Sequence, residues 1–197
     1  FMTMLITPPE RDSKAFEGMT AFVGRVIDIA YQYKKDGVEK AQPNRYKPGH
    51  NEVIDNAIAR LNYPVVPATL YYELVDAFFD AEMYYEAEVA QRYAVPTLSD
   101  LAAVASGEVV KSEYGDTLIE GGRSIIQTFI TGVREAVGDY PIFSSNTRFD
   151  LGPSRVVALD LQDVAILGGA AAKKQTGLMF MIARESFMKK VAYSRED

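Results

Sequence analysis

The chain of 197 residues contains no cysteine and a single histidine, His50. Without cysteine there can be no disulfide, no thiolate metal site and no cysteine nucleophile. One histidine also excludes a metal site built from several histidines, and a Ser-His-Asp triad would depend on His50 alone. His50 stands in a Pro-Gly-His-Asn loop with no serine or acid partner at recognisable spacing, so a capping or surface role is the simpler interpretation.

Long apolar runs are also missing. The longest strongly apolar runs, residues 156–159 and 178–183, are far shorter than the roughly 20 residues that a membrane-spanning helix needs. A hydrophobic fraction of 48% with 24% charged residues is typical of a globular domain, and it excludes a disordered tail, a fibrous repeat and a coiled coil. The net charge of −6 argues against nucleic-acid binding by the surface as a whole.

The negative charge is concentrated in the middle of the sequence. Residues 71–121 carry two bases and eleven acids, whereas the segments before and after them have net charges of +1 and +2. Within this stretch, helical spacing places Glu73, Asp76 and Asp80 on one face. A solvated helix face is the simpler interpretation of such a run, and a docking surface for a basic partner is the functional one. A carboxylate metal site normally adds Glu-x-x-His motifs, and this sequence has none, so no metal ligands are assigned.

Helical periodicity dominates the first 139 residues. It predicts helices over residues 20–35, 51–61, 69–93 with a kink, 99–105 and 124–137, with residues 106–123 irregular. The hydroxyl residues at the start of three of these patterns are candidate N-caps, namely Thr20, Thr69 and Ser99. Gly37 can end the first helix. The last quarter differs, because residues 156–161 are typical of a buried strand and residues 173–193 of a helix. The predicted fold is therefore mainly α, with five to seven helices and a short C-terminal β-hairpin or strand–loop–helix piece.

Two features near the C-terminus invite a chemical interpretation. Asp160 ends the predicted strand, as Walker B aspartates that reach Mg²⁺ do, although strand-end acids also cap the next element or face solvent. Residues 168–176 follow this strand and open a helix, as a phosphate loop does. A Walker A loop requires glycine before its lysine and Ser or Thr after it, and Lys173, Lys174 and Gln175 do not meet that pattern. An exposed basic helix start is the simpler interpretation, with anion binding as the alternative.

Several strings resemble one family of proteins. They are similar to the motor ATPases of type IV secretion and conjugation, in particular the IcmB-like proteins of the Dot/Icm branch. The strings are YPI at residues 140–142, RFDLG at 148–152, RVVALDLQDVA at 155–165, GGAA at 168–171 and QTGLMFMIAR at 175–184. AQRYAVP at residues 90–96 and LITP at 5–8 resemble the same proteins. The likeness extends over most of the chain and is densest in residues 140–184. The sequence departs from the family at Lys173 and Lys174, where an acid followed by arginine is expected.

The resemblance implies a segment of a RecA-like motor, usually a hexamer, that drives protein transport or DNA transfer from the cytoplasmic side of the bacterial inner membrane. Residues 1–139 would be an all-α insertion subdomain, and residues 140–197 a partial RecA-like strand–helix unit that contains Asp160. The segment would lie between the Walker A and Walker B segments of the motor. Other subunits of the ATPase and proteins of the secretion apparatus would be its partners.

ATP and Mg²⁺ would belong to the whole motor and not to this segment. Because neither Walker segment occurs in the sequence, we expect the segment alone not to hydrolyse ATP. A start at Phe1 and an end soon after a helical pattern also favour a piece of a larger protein. The alternative interpretation is a stand-alone helical enzyme or metal-binding protein that uses the acidic face of residues 73–88.

Overall fold

The computed structural model of the chain describes residues 14–41, 43–119, 121–139, 176–177 and 179–184. It divides into two compact units, of which the larger covers Met2–Thr147 and the smaller Arg148–Asp197 together with Phe1. Of the smaller unit, residues 176–177 and 179–184 are described and are helical. They lie inside the helix predicted for residues 173–193. The predicted strand at residues 156–161 lies outside the described residues.

The described part of the larger unit is mainly helical, which confirms the predicted fold class. Its seven helices and two short strands are, in chain order, α1 Lys14–Lys35, α2 Glu52–Leu61, α3 Tyr71–Asp80, α4 Tyr84–Ala94, α5 Leu98–Ala105, α6 Glu108–Tyr114, β1 Leu118–Ile119, β2 Arg123–Ser124 and α7 Ile125–Asp139. The strands form an antiparallel ribbon in which Leu118 faces Ser124 and Ile119 faces Arg123.

The first of two hydrophobic clusters, the α1 core, joins α1 to α5, α6 and α7. Phe22 and Phe129 lie at its centre with edge-to-face rings 5.3 Å apart, and Tyr114 packs edge-on against Phe22 at 5.1 Å. Both phenylalanines are fully buried. The buried members of the cluster are Met19, Phe22, Val23, Val26, Ile29, Ala30, Leu101, Val104, Ala105, Val110, Ile125, Ile126, Phe129, Ile130 and Val133.

The second cluster, the hairpin core, is built from α2 and the antiparallel pair α3 and α4. One stripe of each helix is apolar, as the periodicity predicts, and packing these stripes together removes them from water. The buried members are Ile54, Ala57, Tyr71, Leu74, Phe78, Met83, Ala87, Val89, Ala90 and Ala94. The two clusters share no buried residue.

Helix ends follow local side-chain chemistry. The side chain of Asn51 caps α2 by accepting from the backbone N–H groups of Val53 and Ile54 at 3.0 and 3.2 Å. Gly37 ends α1 with φ of +73°, a left-handed conformation that glycine adopts without strain. The next residue, Val38, donates its N–H to the carbonyl of Tyr33 at 2.9 Å, the bond that closes a Schellman motif.

Several predicted boundaries were wrong. Helix α3 has Leu70 and not Thr69 at its N-cap, and the hydroxyl of Thr69 instead accepts the N–H of Val66 at 2.9 Å. Helix α1 begins at Lys14, so Thr20 lies inside it and not at its cap. Helix α5 is capped by Thr97 and not by Ser99, because the carboxylate of Asp100 at the third helical position bonds back to the N–H of Thr97. The pattern over residues 69–93 is two helices separated by a turn, and residues 106–123 contain α6 and the β-ribbon.

Candidate functional site

The exposed side of the α3–α4 hairpin combines carboxylates with aromatic rings. Because Tyr71, Leu74 and Phe78 are buried, the turns of α3 place Asp76, Phe79 and Asp80 on the outer side of the helix, and all three are exposed. Tyr84 begins α4 on the other side of the turn. We use the name acidic aromatic patch for Asp76, Phe79, Asp80, Glu82 and Tyr84.

The predicted acidic trio divides into two kinds of residue. Glu73, Asp76 and Asp80 are all exposed, but the Oε2 atom of Glu73 accepts the backbone N–H of Leu70 at 2.8 Å. This bond satisfies one of the donors that the start of α3 leaves without a partner inside the helix. Glu73 therefore stabilises the helix end, while Asp76 and Asp80 remain as the surface acids of α3.

The turn between α3 and α4 fixes the shape of the patch. Glu82 adopts φ of 58°, a left-handed conformation that is uncommon outside glycine and asparagine, and donates its N–H to the carbonyl of Phe79 at 3.0 Å. The next residue, Met83, is buried and donates its N–H to the carbonyl of Phe78 at 2.8 Å. The reversal brings the rings of Phe79 and Tyr84 together, with centroids 5.4 Å apart and planes at 71°.

The acids of the patch form no ion pair with the bases nearest to them among the described residues. Residues 71–91 contain no lysine or arginine. The bases that flank this stretch in sequence bind other acids, since Arg60 contacts Glu86 at 2.6 Å and Arg92 contacts Glu88 at 3.3 Å. A third base, Lys35 of α1, lies over the ring of Tyr72 on α3, with its Nζ 5.2 Å from the ring centroid. Within the described ranges, no ion pair involves an acid of the acidic aromatic patch. The segment that carries the two rings therefore has an excess of negative charge.

A second polar cluster attaches the loop before α2 to the hairpin core. The Nδ1 atom of His50 lies 3.0 Å from the hydroxyl of Tyr71, whose ring stacks on that of Tyr93 at 4.9 Å. The hydroxyl of Tyr46 donates to Asp55 at 2.5 Å. His50 is exposed at the surface, as predicted, but its ring is held by a residue 21 positions away that spacing alone could not identify.

Burial affects both phenols of this cluster, the half-buried Tyr46 and the buried Tyr71. Burial raises the pKa of Tyr71, although a hydrogen bond from the backbone of Lys47 opposes the rise. Burial also raises the pKa of Tyr46, and its bond to Asp55 adds to the effect. At neutral pH both hydroxyls therefore keep their protons. The groups of this cluster are used to hold the loop in place, so we assign them a structural role.

A buried ion pair connects α1 to the start of α5. The Nζ atom of Lys34 lies 3.3 Å from Oδ2 of Asp100, and the two side chains are 5% and 3% exposed. The same carboxylate accepts the backbone N–H of Ala41 at 3.1 Å and that of Thr97 at 2.8 Å. Sequence reasoning missed this pair because its members belong to different helices.

A shallow groove of about 330 Å³ lies where α1 passes α6. At its edge the guanidinium of Arg25 donates to both carboxylate oxygens of Glu113 at 2.8 and 2.6 Å. These hydrogen bonds lower the pKa of Glu113 and raise that of Arg25. The groove is lined by Arg25, Asp28, Ile29, Gln32, Tyr33 and Val109.

The remaining predicted site residues cannot be placed. Asp160, Lys173, Lys174 and Gln175 lie outside the described residues, so their roles stay predictions. In the part of the chain that the structure covers, no three acidic or histidine side chains converge as metal ligands would. The alternative interpretation of residues 73–88 as a metal or enzyme site likewise stays a prediction.

Comparison of the chain with protein-family models, with curated proteins and with solved structures finds no significant match. None of the described helices combines the length and the apolar character needed to cross a bilayer.

Proposed function

We propose that this chain is the helical subdomain of a type IV secretion or conjugation motor ATPase of the Dot/Icm, IcmB-like kind, and that it makes subunit contacts and docks a partner for the motor. The resemblance of residues 140–184 and 90–96 to those ATPases supports the family. ATP and Mg²⁺ would be bound by the RecA-like part of the motor, at the cytoplasmic face of the inner membrane.

The observation that carries the docking role is the acidic aromatic patch. Phe79 and Tyr84 are each 58% exposed, and the carboxylates that flank them form no ion pair among the described residues. Exposed apolar groups with a polar rim are a common feature of protein–protein contact sites, and aromatic residues are enriched in such interfaces. A solvated helix face explains the acids alone but gives no reason for two exposed rings to stand beside them.

Photo-crosslinking in cells that carry the secretion apparatus tests this proposal. The photoreactive p-benzoylphenylalanine replaces Tyr84 in the patch, and in a control it replaces Val66, an apolar residue 56% exposed in the loop before α3. Crosslinks from position 84 to subunits of the motor or of the apparatus, weaker or missing from position 66, are expected. Crosslinks only to proteins outside the apparatus, or none, would refute the assignment to a secretion motor.

Charge reversal gives a second test. Asp76→Lys with Asp80→Lys is expected to weaken co-purification with the secretion apparatus while changing the free energy of unfolding by no more than about 0.5 kcal/mol, because exposed charges contribute little to stability. Glu73 is left unchanged, because its reversal would also remove the hydrogen bond that caps α3. Intact co-purification together with a large loss of stability would show that these two acids are structural.

A further inference from the structure

The two rings of the acidic aromatic patch are exposed because of where the helices place them. Phe79 lies off the apolar stripe of α3, next to the fully buried Phe78, so the helix directs the two phenylalanines to opposite environments. Edge-to-face contact with Tyr84 leaves both rings more than half exposed. Such a pair offers flat aromatic surface to a partner at small entropic cost, because aromatic side chains have few rotatable bonds.

Carboxylates flank this surface on α3 and in the turn. Asp76 and Asp80 lie one helical turn apart on α3, with Phe79 between them in sequence, and Glu82 lies in the turn that leads to Tyr84. Phosphate-bearing partners, such as nucleic acid or an anionic lipid surface, would be repelled by this charge. A partner with positive charge is attracted, and it must also present a group that packs on an aromatic face.

The guanidinium group combines these two properties. It is planar, always charged and weakly hydrated, it stacks on aromatic rings, and it binds carboxylates through paired N–H donors. The lysine ammonium is attracted by the same carboxylates, but it is a compact, strongly hydrated charge without a planar face. Arginine is also the more frequent cation over aromatic rings in proteins.

We propose that the acidic aromatic patch binds an arginine-bearing segment of a partner protein, with guanidinium groups stacked on Phe79 and Tyr84 and paired with Asp76, Asp80 or Glu82. This inference rests on the proposed docking function and specifies its partner chemistry. The hairpin is suited to the role because the bonds of the turn hold the rings in place before the partner arrives, which reduces the entropy lost on binding.

Fluorescence anisotropy with the full chain tests the proposal. The probe is a short fluorescein-labelled peptide of alternating arginine and alanine, and the comparison peptides carry lysine or uncharged citrulline in place of arginine. We expect the arginine peptide to bind about threefold or more tightly than the lysine peptide. The citrulline peptide is expected not to bind. Equal affinity for the arginine and lysine peptides would overturn the role of the rings.

Two sets of variants distinguish the contribution of the rings to peptide affinity from the contribution of the charge. Phe79→Ala and Tyr84→Ala are each expected to reduce arginine-peptide affinity about two- to fivefold and to remove the preference over lysine. Tyr31→Ala, at an aromatic residue of α1 that is 44% exposed, is the matched control and should change neither. Loss of affinity without loss of the preference for arginine would contradict stacking on these rings.

The charge variant is Asp76→Asn with Asp80→Asn, which should weaken both basic peptides by the same factor. Its control, Glu108→Gln with Asp116→Asn, makes the same change in net charge at exposed acids elsewhere in the larger unit. If the control weakens binding as much as the patch variant does, the peptides respond to overall charge, and the proposal is wrong.

Glu82→Gly tests the charge of the patch in a variant that is not expected to lose stability. Glycine adopts the left-handed conformation at position 82 without the strain of a side chain, so this variant should melt at the same or a higher temperature while binding the arginine peptide more weakly. Unchanged affinity would remove Glu82 from the site. Arginine-selective peptide binding without crosslinks to a secretion apparatus would uphold this inference and refute the proposed function. Crosslinks without arginine selectivity would uphold the proposed function and refute this inference.

Discussion

Breaking the buried ion pair between Lys34 and Asp100 is expected to destabilise the larger unit more than any surface substitution does. The two charges are 3.3 Å apart and almost completely buried. Removing one partner of such a pair typically costs about 3–5 kcal/mol, since the other charge is then left in a poorly hydrated environment.

The two single variants differ in what they leave behind. Lys34→Met leaves a carboxylate that still accepts the N–H groups of Ala41 and Thr97, so we expect the lower end of that range, about 3 kcal/mol. Asp100→Ala leaves the ammonium without this carboxylate and also removes the acceptor of the Thr97 N–H, which is one half of the capping box of α5, so we expect about 5 kcal/mol. For a chain of this size, the smaller loss corresponds to a decrease in melting temperature of about 6–12 °C.

The double variant distinguishes a paired interaction from two independent losses. With both charges removed, neither member of this pair is left buried without the other, so Lys34→Met with Asp100→Ala should cost about 3 kcal/mol less than the sum of the single losses. Urea unfolding followed by far-ultraviolet circular dichroism measures each loss. Arg60→Met is the control, because Arg60 is largely exposed in its pair with Glu86 and should cost at most about 1 kcal/mol. Additive losses, or a Lys34→Met cost no larger than that of the control, would refute the reasoning.

Three further predictions concern other parts of the chain. The amide of Asn44 is buried without a hydrogen-bond partner among the described residues, so Asn44→Leu should leave stability unchanged or raise it by about 1 kcal/mol; a comparable loss would contradict this. Burial raises the pKa of Tyr71. The contribution of the protonated Tyr71 hydroxyl to the free energy of unfolding is therefore complete below the unfolded pKa of about 10, and it decreases as pH rises through the folded pKa. Tyr71→Phe should therefore reduce the loss of stability in alkaline urea titrations, and an unchanged pH dependence would show otherwise. Calorimetric titration with Mg²⁺ and ATP should give no binding heat, because the sequence has no Walker A loop; micromolar affinity would show that a nucleotide site is complete in this chain.

Periodicity predicted the uninterrupted helices well, apart from the start of α1, and it predicted interrupted or very short elements poorly. The apolar spacing of α2, α5 and α7 is strong enough to fix their existence from the sequence. Helix α6 has seven residues between Gly107 and Gly115, which is too short for a periodic signal. The break between α3 and α4 depends on Glu82 in a left-handed conformation, and glutamate gives no sequence signal of a turn, as glycine or proline does.

The candidate site was predictable in part for the same reason. Helical spacing correctly placed Asp76 and Asp80 on an exposed face. The role of Glu73, at the third position of α3, gave no such signal, because the N-cap residue to which it bonds back is Leu70 and not the Ser or Thr of a capping box. The contact between Phe79 and Tyr84 could not be predicted, because it depends on how the chain reverses between two helices.

The separation of the two hydrophobic clusters leads to a final prediction. The acidic aromatic patch is built on the hairpin core, and the polar cluster around Tyr71 attaches its own loop to that core. The buried pair of Lys34 and Asp100 instead connects α1 to α5, and both of these helices belong to the α1 core. Lys34→Met should therefore reduce stability yet leave the affinity for the arginine peptide within about twofold, since the effects of substitutions in separately packed clusters are usually additive. Anisotropy titrations well below the melting temperature of the variant measure this. If affinity decreased along with stability, the two clusters would be energetically coupled, and the patch could not be treated as a rigid surface of the hairpin alone.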